Sequence, residues 1–354
     1  MNQTKIEHFM TRIGIVAIGR NEGERLIRCL DSLRAQLSPE VPIVYVDSGS
    51  TDGSQIAATN RGVEVVTLDL SIPFTAARAR NAGFQYLQQH HSIDYVQFVD
   101  GDCEVVAGWI DAAVQFLDCT PEAVAVCGWR RERYPDQSMF NRICDVEWRS
   151  GSVGEIGNFG GDVMMRAAAL SAVGGYNDRV IAAEDDEVSV RLRQAGGKIY
   201  RIDQNSTLHD ANIHHLSQWW QRAKRCGYAY GLVNSIHGAP PEQKFQREVR
   251  RTWIWGFLVP VLSLGAAWLT QGWSLLPLAR YPITTLKVMV GSRRRGWSSA
   301  DSWAWGWSCG VSVIPEALGL LKFQRDRWQN RQAEIIEYKG VQPVGSDVVQ
   351  SPGR

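Results

Sequence analysis

The triplet Asp100-Gly101-Asp102 sits in FVDGDCE, directly after the apolar run Tyr95 to Val99. Two carboxylates one residue apart at the end of a buried strand can be aimed at a single point by the loop that follows. Hard divalent cations such as Mg²⁺ or Mn²⁺ take oxygen ligands and usually keep one or two protein carboxylates beside substrate phosphates. An Asp-Gly turn that only caps a strand is the other reading of the same residues. Asp47 opens VDSGSTDGS after the run Ile43 to Val46. A carboxylate there can accept from a base N–H or a ribose hydroxyl, and Ser50, Thr51 and Asp52 can equally cap the next helix. In ARARNAG, Arg78 and Arg80 stand near a helix start, and the guanidinium fork of Arg80 suits a diphosphate. Glu184-Asp185-Asp186-Glu187 opens a further helical segment. The helix dipole and a Glu187–Arg191 pair account for such acids structurally. Four adjacent carboxylates nevertheless exceed what capping needs, and one fixed after a glycine-rich segment is placed to act as a general base. His209 lies in STLHDANIHH. A lone histidine is more often packed or solvated than a ligand; here it could complete a metal or diphosphate shell.

The elements that must carry these residues alternate between short apolar runs and amphipathic segments from residue 12 to about 130, the pattern of βα units in a mostly parallel sheet. Ile13 to Ile18 predicts a strand that breaks at Gly19-Arg20-Asn21-Glu22, after which Leu26, Ile27, Leu30, Leu33 and Leu37 recur at helical spacing. Ile43 to Val46, Val63 to Leu68 and Tyr95 to Val99 predict three more strands. Polar residues therefore gather at the carboxyl ends of strands, where open α/β sheets bind ligands. Beyond residue 150, GNFGGD and GGYND supply turns, a helix is predicted from near Glu184 with Val188, Leu192 and Ala195 on one face, and Lys198 to Ile202 predicts a strand.

A chain of 354 residues accommodates one large α/β domain and an appendage. Its 38 basic and 37 acidic side chains leave a net charge of +1, so no global field recruits nucleic acid. The seven scattered cysteines form no CxxC pair, which excludes zinc, cluster and dithiol motifs and reads as buried thiols in a reducing compartment. MNQTKIEHFMTR lacks the apolar core of a secretory signal, and the catalytic portion is expected in the cytoplasm. No GxGxxG follows a strand and no P-loop is present, which disfavours dinucleotide oxidoreductases.

Taken in order, IVAIGRNEGERLIRCLDSL, VDSGSTDGS, ARARNAG, FVDGDCE, GNFGGDVMMRAAALSAVGGYND, EDDEVSVRLRQAGGKI and a later histidine resemble the family 2 glycosyltransferases of GT-A fold, over roughly residues 12 to 235. The resemblance implies an α/β, Rossmann-like, mostly parallel sheet flanked by helices, with the transferase domain at residues 11–235. It implies Asn21 and Glu22 beside the nucleotide, Asp47 on the base and Arg80 near the diphosphate. Asp100 and Asp102 would form the DXD element, Asp100 toward the nucleoside and Asp102 on a Mg²⁺ or Mn²⁺ ion that His209 completes. Asp185 would be the catalytic base. The implied activity is metal-dependent, inverting hexosyl transfer from a nucleotide-diphosphate sugar to a hydroxyl acceptor in cell-envelope polysaccharide or glycolipid synthesis. The first loop, IGRNEGE, lacks the proline and tyrosine that many members carry, and Gln218-Trp219-Trp220-Gln221-Arg222 only echoes the QxxRW motif of processive synthases. A noncatalytic nucleotide-sugar-binding scaffold of a membrane glycan-assembly complex is the alternative, and it would tolerate Asp185→Asn.

Nine of the 14 tryptophans fall between Trp253 and Trp328. Thr252 to Ala279 is uncharged, with Arg250 and Arg251 before it and Arg280 after it. The run is long enough to cross a bilayer, which takes about 20 residues, but Pro260, Gly265, Gln271, Gly272 and Pro277 interrupt it. A single crossing would also carry Arg293, Arg294 and Arg295 to the far side, against the positive-inside tendency. A hairpin that enters and returns, or Trp-rich helices lying in the interface, keeps every arginine on the cytoplasmic face; Trp303 to Leu321 is a second amphipathic candidate. Residues 236–330 are thus expected to be a helical region associated with the cytoplasmic face of the inner (plasma) membrane. Residues 331–354 are expected to be a partly disordered tail. A soluble helical subdomain with its tryptophans packed inside is the alternative.

Overall fold

The computed structural model describes residues 13–331 and Ile336; the expectations for the first dozen residues and for nearly all of the tail lie outside the described residues. The predicted runs form β1 (Ile13–Gly19), β2 (Ile43–Asp47), β3 (Glu64–Thr67) and β4 (Tyr95–Asp100). They are followed by β5 (Cys103–Val105), β6 (Ala123–Glu132), β7 (Gly154–Ile156), β8 (Val163–Arg166) and β9 (Lys198–His209). The strands make one sheet of order β3-β2-β1-β4-β8-β6-β9-β5, with β7 added on β9. β1, β2, β3 and β4 run parallel, β8 is antiparallel to both β4 and β6, and β6 and β9 are parallel.

Helices α1 (Glu24–Arg34), α2 (Ser54–Thr59), α3 (Ala76–His90) and α4 (Trp109–Cys119) connect the strands and cover both faces. The period-two alternation of β1 divides its side chains between two cores. Ile13, Ile15 and Ala17 pack with Leu26, Leu30 and Leu33 of α1 and Trp109 of α4. Val16 and Ile18 pack with Ala77, Phe84 and Leu87 of α3. Each fully buried aliphatic side chain contributes about 1.5–3 kcal/mol, so the apolar runs that read as strands also anchor the sheet. Their register sets where chemistry can occur. Gly19 lies opposite Asp47, Ile18 opposite Asp100, and Asp47 opposite Thr67, so four parallel strands stop at one level.

β9 runs well beyond its predicted end at Ile202. β6 pairs with it through Glu132↔His209, and β5 pairs Cys103 with His209 from the other side. These partners satisfy the backbone of a polar segment whose side chains do not read as a strand. His209 is thereby delivered to the turn that holds Asp102.

The later helices are α5 (Met139–Trp148), α6 (Ala167–Ala172), α7 (Glu184–Gln194), α8 (Leu216–His237) and α9 (Gln246–Arg251). A π-helical turn (Thr252–Leu258), α10 (Val259–Gly265), a 3₁₀ turn (Trp273–Ala279), α11 (Arg280–Arg294), α12 (Ser299–Val311) and α13 (Val313–Trp328) follow. α13 lies against α8 at near backbone contact: a Cβ on Gly319 would fall 1.9 Å from the Lys224 carbonyl oxygen, and one on Gly227 equally close to that of Glu316. α12 is tied to α5 through Asp301, which accepts from Arg142 at 2.9 Å and Arg149 at 2.6 Å. Trp219, Trp305 and Trp307 pack into one cluster, whereas Trp268, Trp273, Trp303 and Trp328 are exposed. Among the described residues no helix is long and apolar enough to cross a membrane.

Candidate donor and metal site

Above the level strand ends lies a cavity of about 390 Å³. Its walls include Asn21 and Glu22 after β1, Ser48 after β2, Arg80 of α3, Asp100 to Asp102, Arg130 of β6, Trp148 of α5, Glu184 and Asp185 of α7, and His209. Of the residues singled out in the sequence, Asn21, Glu22, Arg80, Asp100, Asp102, Asp185 and His209 reach this cavity and Asp47 does not.

Asp47 is fully buried. One carboxylate oxygen accepts from the backbone N–H of Gly49 and Ser50 at 3.0 and 2.9 Å and from Gln55 at 2.7 Å, and the other accepts from the Tyr45 hydroxyl at 3.1 Å. Burial alone would raise its pKa, but the bonds from Ser50, Gln55 and Gly49 outweigh that and hold the carboxyl below its usual value. Its oxygens organise the SGSTDGS loop. Asn21 is similarly engaged. With φ at 55° it occupies the left-handed region, its N–H donates to Ser50 Oγ at 2.9 Å, and its Oδ1 accepts from the Thr51 N–H at 2.7 Å. The loops after β1 and β2 are thereby joined. Glu22 pairs with Arg25 at 2.8 Å.

Arg80 departs furthest from expectation. Its side chain is 2% exposed, donating to Glu184 at 2.6 Å and to Asp100 at 2.8 Å, with Asp185 at 3.5 Å. Burial opposes its charge, yet Asp185, Asp100 and Glu184 together push its pKa further up. Both Nη atoms are engaged by carboxylates, while Nε has no hydrogen-bond partner and the residue lines the cavity. Asp100 is in turn held on its other oxygen by Arg130 at 3.2 Å, and Arg130 donates to the buried Asp162 at 2.7 Å. The result is an alternating chain, Asp162–Arg130–Asp100–Arg80–Glu184, that crosses the floor of the cavity. Gly161 passes directly over it, since a Cβ there would come within 2.6 Å of both Arg80 Nη2 and an Asp100 oxygen.

Asp185 stands beside this chain with its side chain 16% exposed. Burial pushes its carboxyl well above the ordinary range; Arg80 opposes this, and the neighbouring Glu184 and Asp100 add to it. Ala183 caps the helix in the left-handed region at φ 58°, a conformation that costs a non-glycine residue energy and that clusters at functional sites. The four acids of α7 are distributed among separate cations. Glu184 takes Arg80, Asp186 takes Lys244 at 2.6 Å, and Glu187 takes Arg191 at 2.6 Å and His237 at 3.0 Å. The Glu187–Arg191 pair is thus the structural one, and Asp185 faces the cavity.

Asp102 Oδ1 lies 3.3 Å from His209 Nε2. Asp102, Cys103 and His209 offer ligand atoms within 4.8 Å of one another. His209 is buried, the Trp148 ring meets it edge-on at 4.6 Å, and its Nδ1 has no hydrogen-bond partner. Burial and the nearby acids push the Cys103 thiol well up, so the sulfur stays protonated. The donor set is then one carboxylate and one imidazole, which fits Mg²⁺ or Mn²⁺ better than a thiolate-bound metal.

Arg130, Asp162 and Glu184 were not selected from the sequence. GNFGGD and the acidic run were visible, but the buried partnership of Asp162 with an arginine 32 positions earlier was not.

The comparisons agree with this architecture. Residues 15–172 match the family described as Glycosyl transferase family 2. The chain is similar to the succinoglycan biosynthesis protein ExoA of Rhizobium meliloti (strain 1021), at 26% identity over 238 residues, covering 62% of this chain and 69% of that protein. Among solved structures it is similar to the mannosyltransferase PcManGT from Pyrobaculum calidifontis in complex with GDP-Man and Mn²⁺, with a TM-score of 0.57 at 17% identity over 88% of this chain and 87% of that one. It is also similar to S. aureus TarS 1-349 in complex with UDP-GlcNAc, with a TM-score of 0.51 at 16% identity over 90% and 92% of the two chains. These structural likenesses concern the fold, a mostly parallel sheet flanked by helices. Residues 15–172 are thus a glycosyl transferase family 2 domain, in a fold of the GT-A type.

Proposed function

We propose that the protein moves a hexosyl group from a nucleotide-diphosphate sugar to a hydroxyl of a cell-envelope polysaccharide or glycolipid, inverting the anomeric carbon. The observation that carries this reading is that one cavity joins the Asp102–His209 pair to a partly exposed carboxyl, Asp185, whose pKa is raised. Asp102 and His209 would hold Mg²⁺ or Mn²⁺, and such an ion supplies positive charge to a departing diphosphate. Arg25, Arg222 and Arg225 also line the cavity and, with Arg80, would add positive charge toward the phosphates. Asp185 would accept the acceptor hydroxyl's proton as that oxygen bonds to the anomeric carbon. The bond from that carbon to the β-phosphate oxygen breaks, and the nucleoside diphosphate leaves with the electron pair. A single in-line displacement converts an α-linked donor into a β-linked product. A carboxyl with a raised pKa suits general-base work near neutral pH. The ligands named for the two solved relatives and the polysaccharide role in the name of the Rhizobium relative support the donor and product classes.

The test is to incubate the full chain and Mn²⁺ with UDP-, GDP- and dTDP-sugars, measure nucleoside diphosphate release, and read the product's anomeric configuration by NMR. Asp185→Ala should lower transfer by roughly 10²- to 10⁴-fold while nucleotide affinity holds. Transfer at the unaltered rate would sink the base assignment, and a retained configuration would sink the inversion.

A further inference from the structure

The segment from α9 to α11 forms a helical hairpin with an unusual surface. Its outer face exposes Val261, Leu262, Leu264, Leu276, Ile283 and Leu286, and its tip exposes Trp268, Leu269 and Trp273 at 90%, 84% and 72%. An apolar surface this continuous is uncommon on a solvated protein and marks a contact with something else. The hairpin is nevertheless a built unit. Ser274 Oγ donates to the Ser263 carbonyl at 2.7 Å, the Ser274 N–H donates to Thr270 Oγ1 at 3.0 Å, Arg280 stacks on Trp255 at 4.1 Å, and the Tyr281 hydroxyl donates to the Trp255 carbonyl. The polar groups of the turn are satisfied internally while the apolar ones point out, the reverse of a segment folded for water.

Charge identifies the occupant. Residues 249–300 contain no aspartate or glutamate and seven basic residues, Arg250, Arg251, Arg280, Lys287, Arg293, Arg294 and Arg295. On α11 the exposed Ile283, Leu286 and Val290 share one stripe, and the helix ends in the exposed arginine triplet. A symmetric contact with a second copy would set these like charges against each other. An anionic bilayer meets both features, since lipid tails receive the tryptophans and leucines while phosphates receive the arginines. The dimensions exclude a crossing. The apolar helical run from Thr252 to Gly265, the π-helical turn continued by α10, rises about 20 Å, short of a hydrocarbon core of about 30 Å, and no described helix is long and apolar enough to cross.

We propose that residues 252–295 are a one-sided membrane-docking hairpin: Trp268, Leu269 and Trp273 enter the headgroup–acyl boundary of an anionic phospholipid bilayer, and Arg293 to Arg295 bind its phosphates. The proposal is independent of the sugar-transfer reading and can fail while that reading stands. The test is sedimentation of the full chain with vesicles of phosphatidylcholine alone or mixed with phosphatidylglycerol. The unaltered chain should bind the mixed vesicles roughly 100-fold more strongly. Replacing Arg293, Arg294 and Arg295 together by serine should remove that preference, and Trp268→Ser, Leu269→Ser and Trp273→Ser together should abolish binding to both vesicles. All six side chains are exposed, so both triple variants should unfold at the unaltered temperature, which separates lost docking from lost folding. The proposal is overturned if the unaltered chain stays in the supernatant, or if the tip variant sediments like the unaltered chain. It is equally overturned if the tip variant converts a soluble dimer into a monomer, because a second copy then covers the face.

Discussion

Replacing Arg80 by glutamine removes the charged guanidinium from the centre of the cavity floor and leaves a shorter, neutral amide in its place. The side chain is 2% exposed and faces Glu184 at 2.6 Å, Asp100 at 2.8 Å and Asp185 at 3.5 Å. Unit charges at about 4 Å interact by about 4 kcal/mol at an effective dielectric of 20, and the cost of burying the guanidinium offsets much of the attraction. The loss on removing one partner of such a buried group is about 3–5 kcal/mol, a large share of the roughly 5–15 kcal/mol that holds a domain folded. At about 2–4 °C per kcal/mol, the melting temperature of Arg80→Gln should fall by roughly 10 °C at neutral pH. Asp185 supplies the pH dependence. Its folded pKa is raised and Arg80 is the group that restrains it, so the native state holds this proton after the unfolded chain has released it. Stability therefore falls as pH rises through that window. Without Arg80 the pKa climbs further and the window widens upward. The deficit of the variant should therefore grow as pH rises, and the acidic limb of its pH–rate profile should move to higher pH because the base must be deprotonated. Thermal unfolding across pH and initial rates of donor turnover read both effects. A variant that melts with the unaltered protein at neutral pH, or whose acidic limb stays in place, would refute the assignment of Arg80 as the residue that positions Asp185.

Mn²⁺ at about 100 times its dissociation constant should stabilise the unaltered protein by about 2.7 kcal/mol, and Asp102→Asn or His209→Ala should abolish that thermal shift; an undiminished shift moves the metal elsewhere. Gly161→Ala places a methyl within 2.6 Å of Arg80 and Asp100 and should cost about 1–3 kcal/mol, with a parallel loss of turnover measured on the same preparation. For Asp47→Asn, thermal melts should show a deficit of roughly 1–3 kcal/mol at neutral pH. The Asp47 pKa is depressed in the folded state, so its stabilisation is present above the unfolded value of about 3.9 and vanishes as pH falls through the folded one. The two proteins should therefore converge in acid.

The strands β1, β2 and β4 are legible because each is a run of apolar residues, β3 shows through Val63, Val65, Val66 and Leu68, and the level at which they end follows from the parallel register. β6 carries Trp129, Arg130 and Arg131 where a buried strand normally shows aliphatic residues, and the far half of β9 is polar. Pairing with each other, not side-chain hydrophobicity, holds both. The site shows the same division. Asp102 follows a strand end and Asp185 begins a helix, positions that sequence patterns mark, whereas His209 ends a strand whose polar far half does not announce it. Asp47 and Arg80 also stand at a strand end and near a helix start, but sequence spacing carries no sign of the neighbours that hydrogen-bond them.

The alternating chain from Asp162 to Glu184 has a consequence for how the enzyme can diverge. Replacing Arg80 or Arg130 takes the cation from a buried carboxylate, Glu184 or Asp162, so an accepted change at either arginine requires a compensating one. Arg20, exposed with its guanidinium 4.6 Å from the Phe74 ring, lies outside that constraint on the cavity rim. Shifts in donor preference are therefore expected to arise by single substitutions at the rim, over a floor whose two arginines change only through paired events.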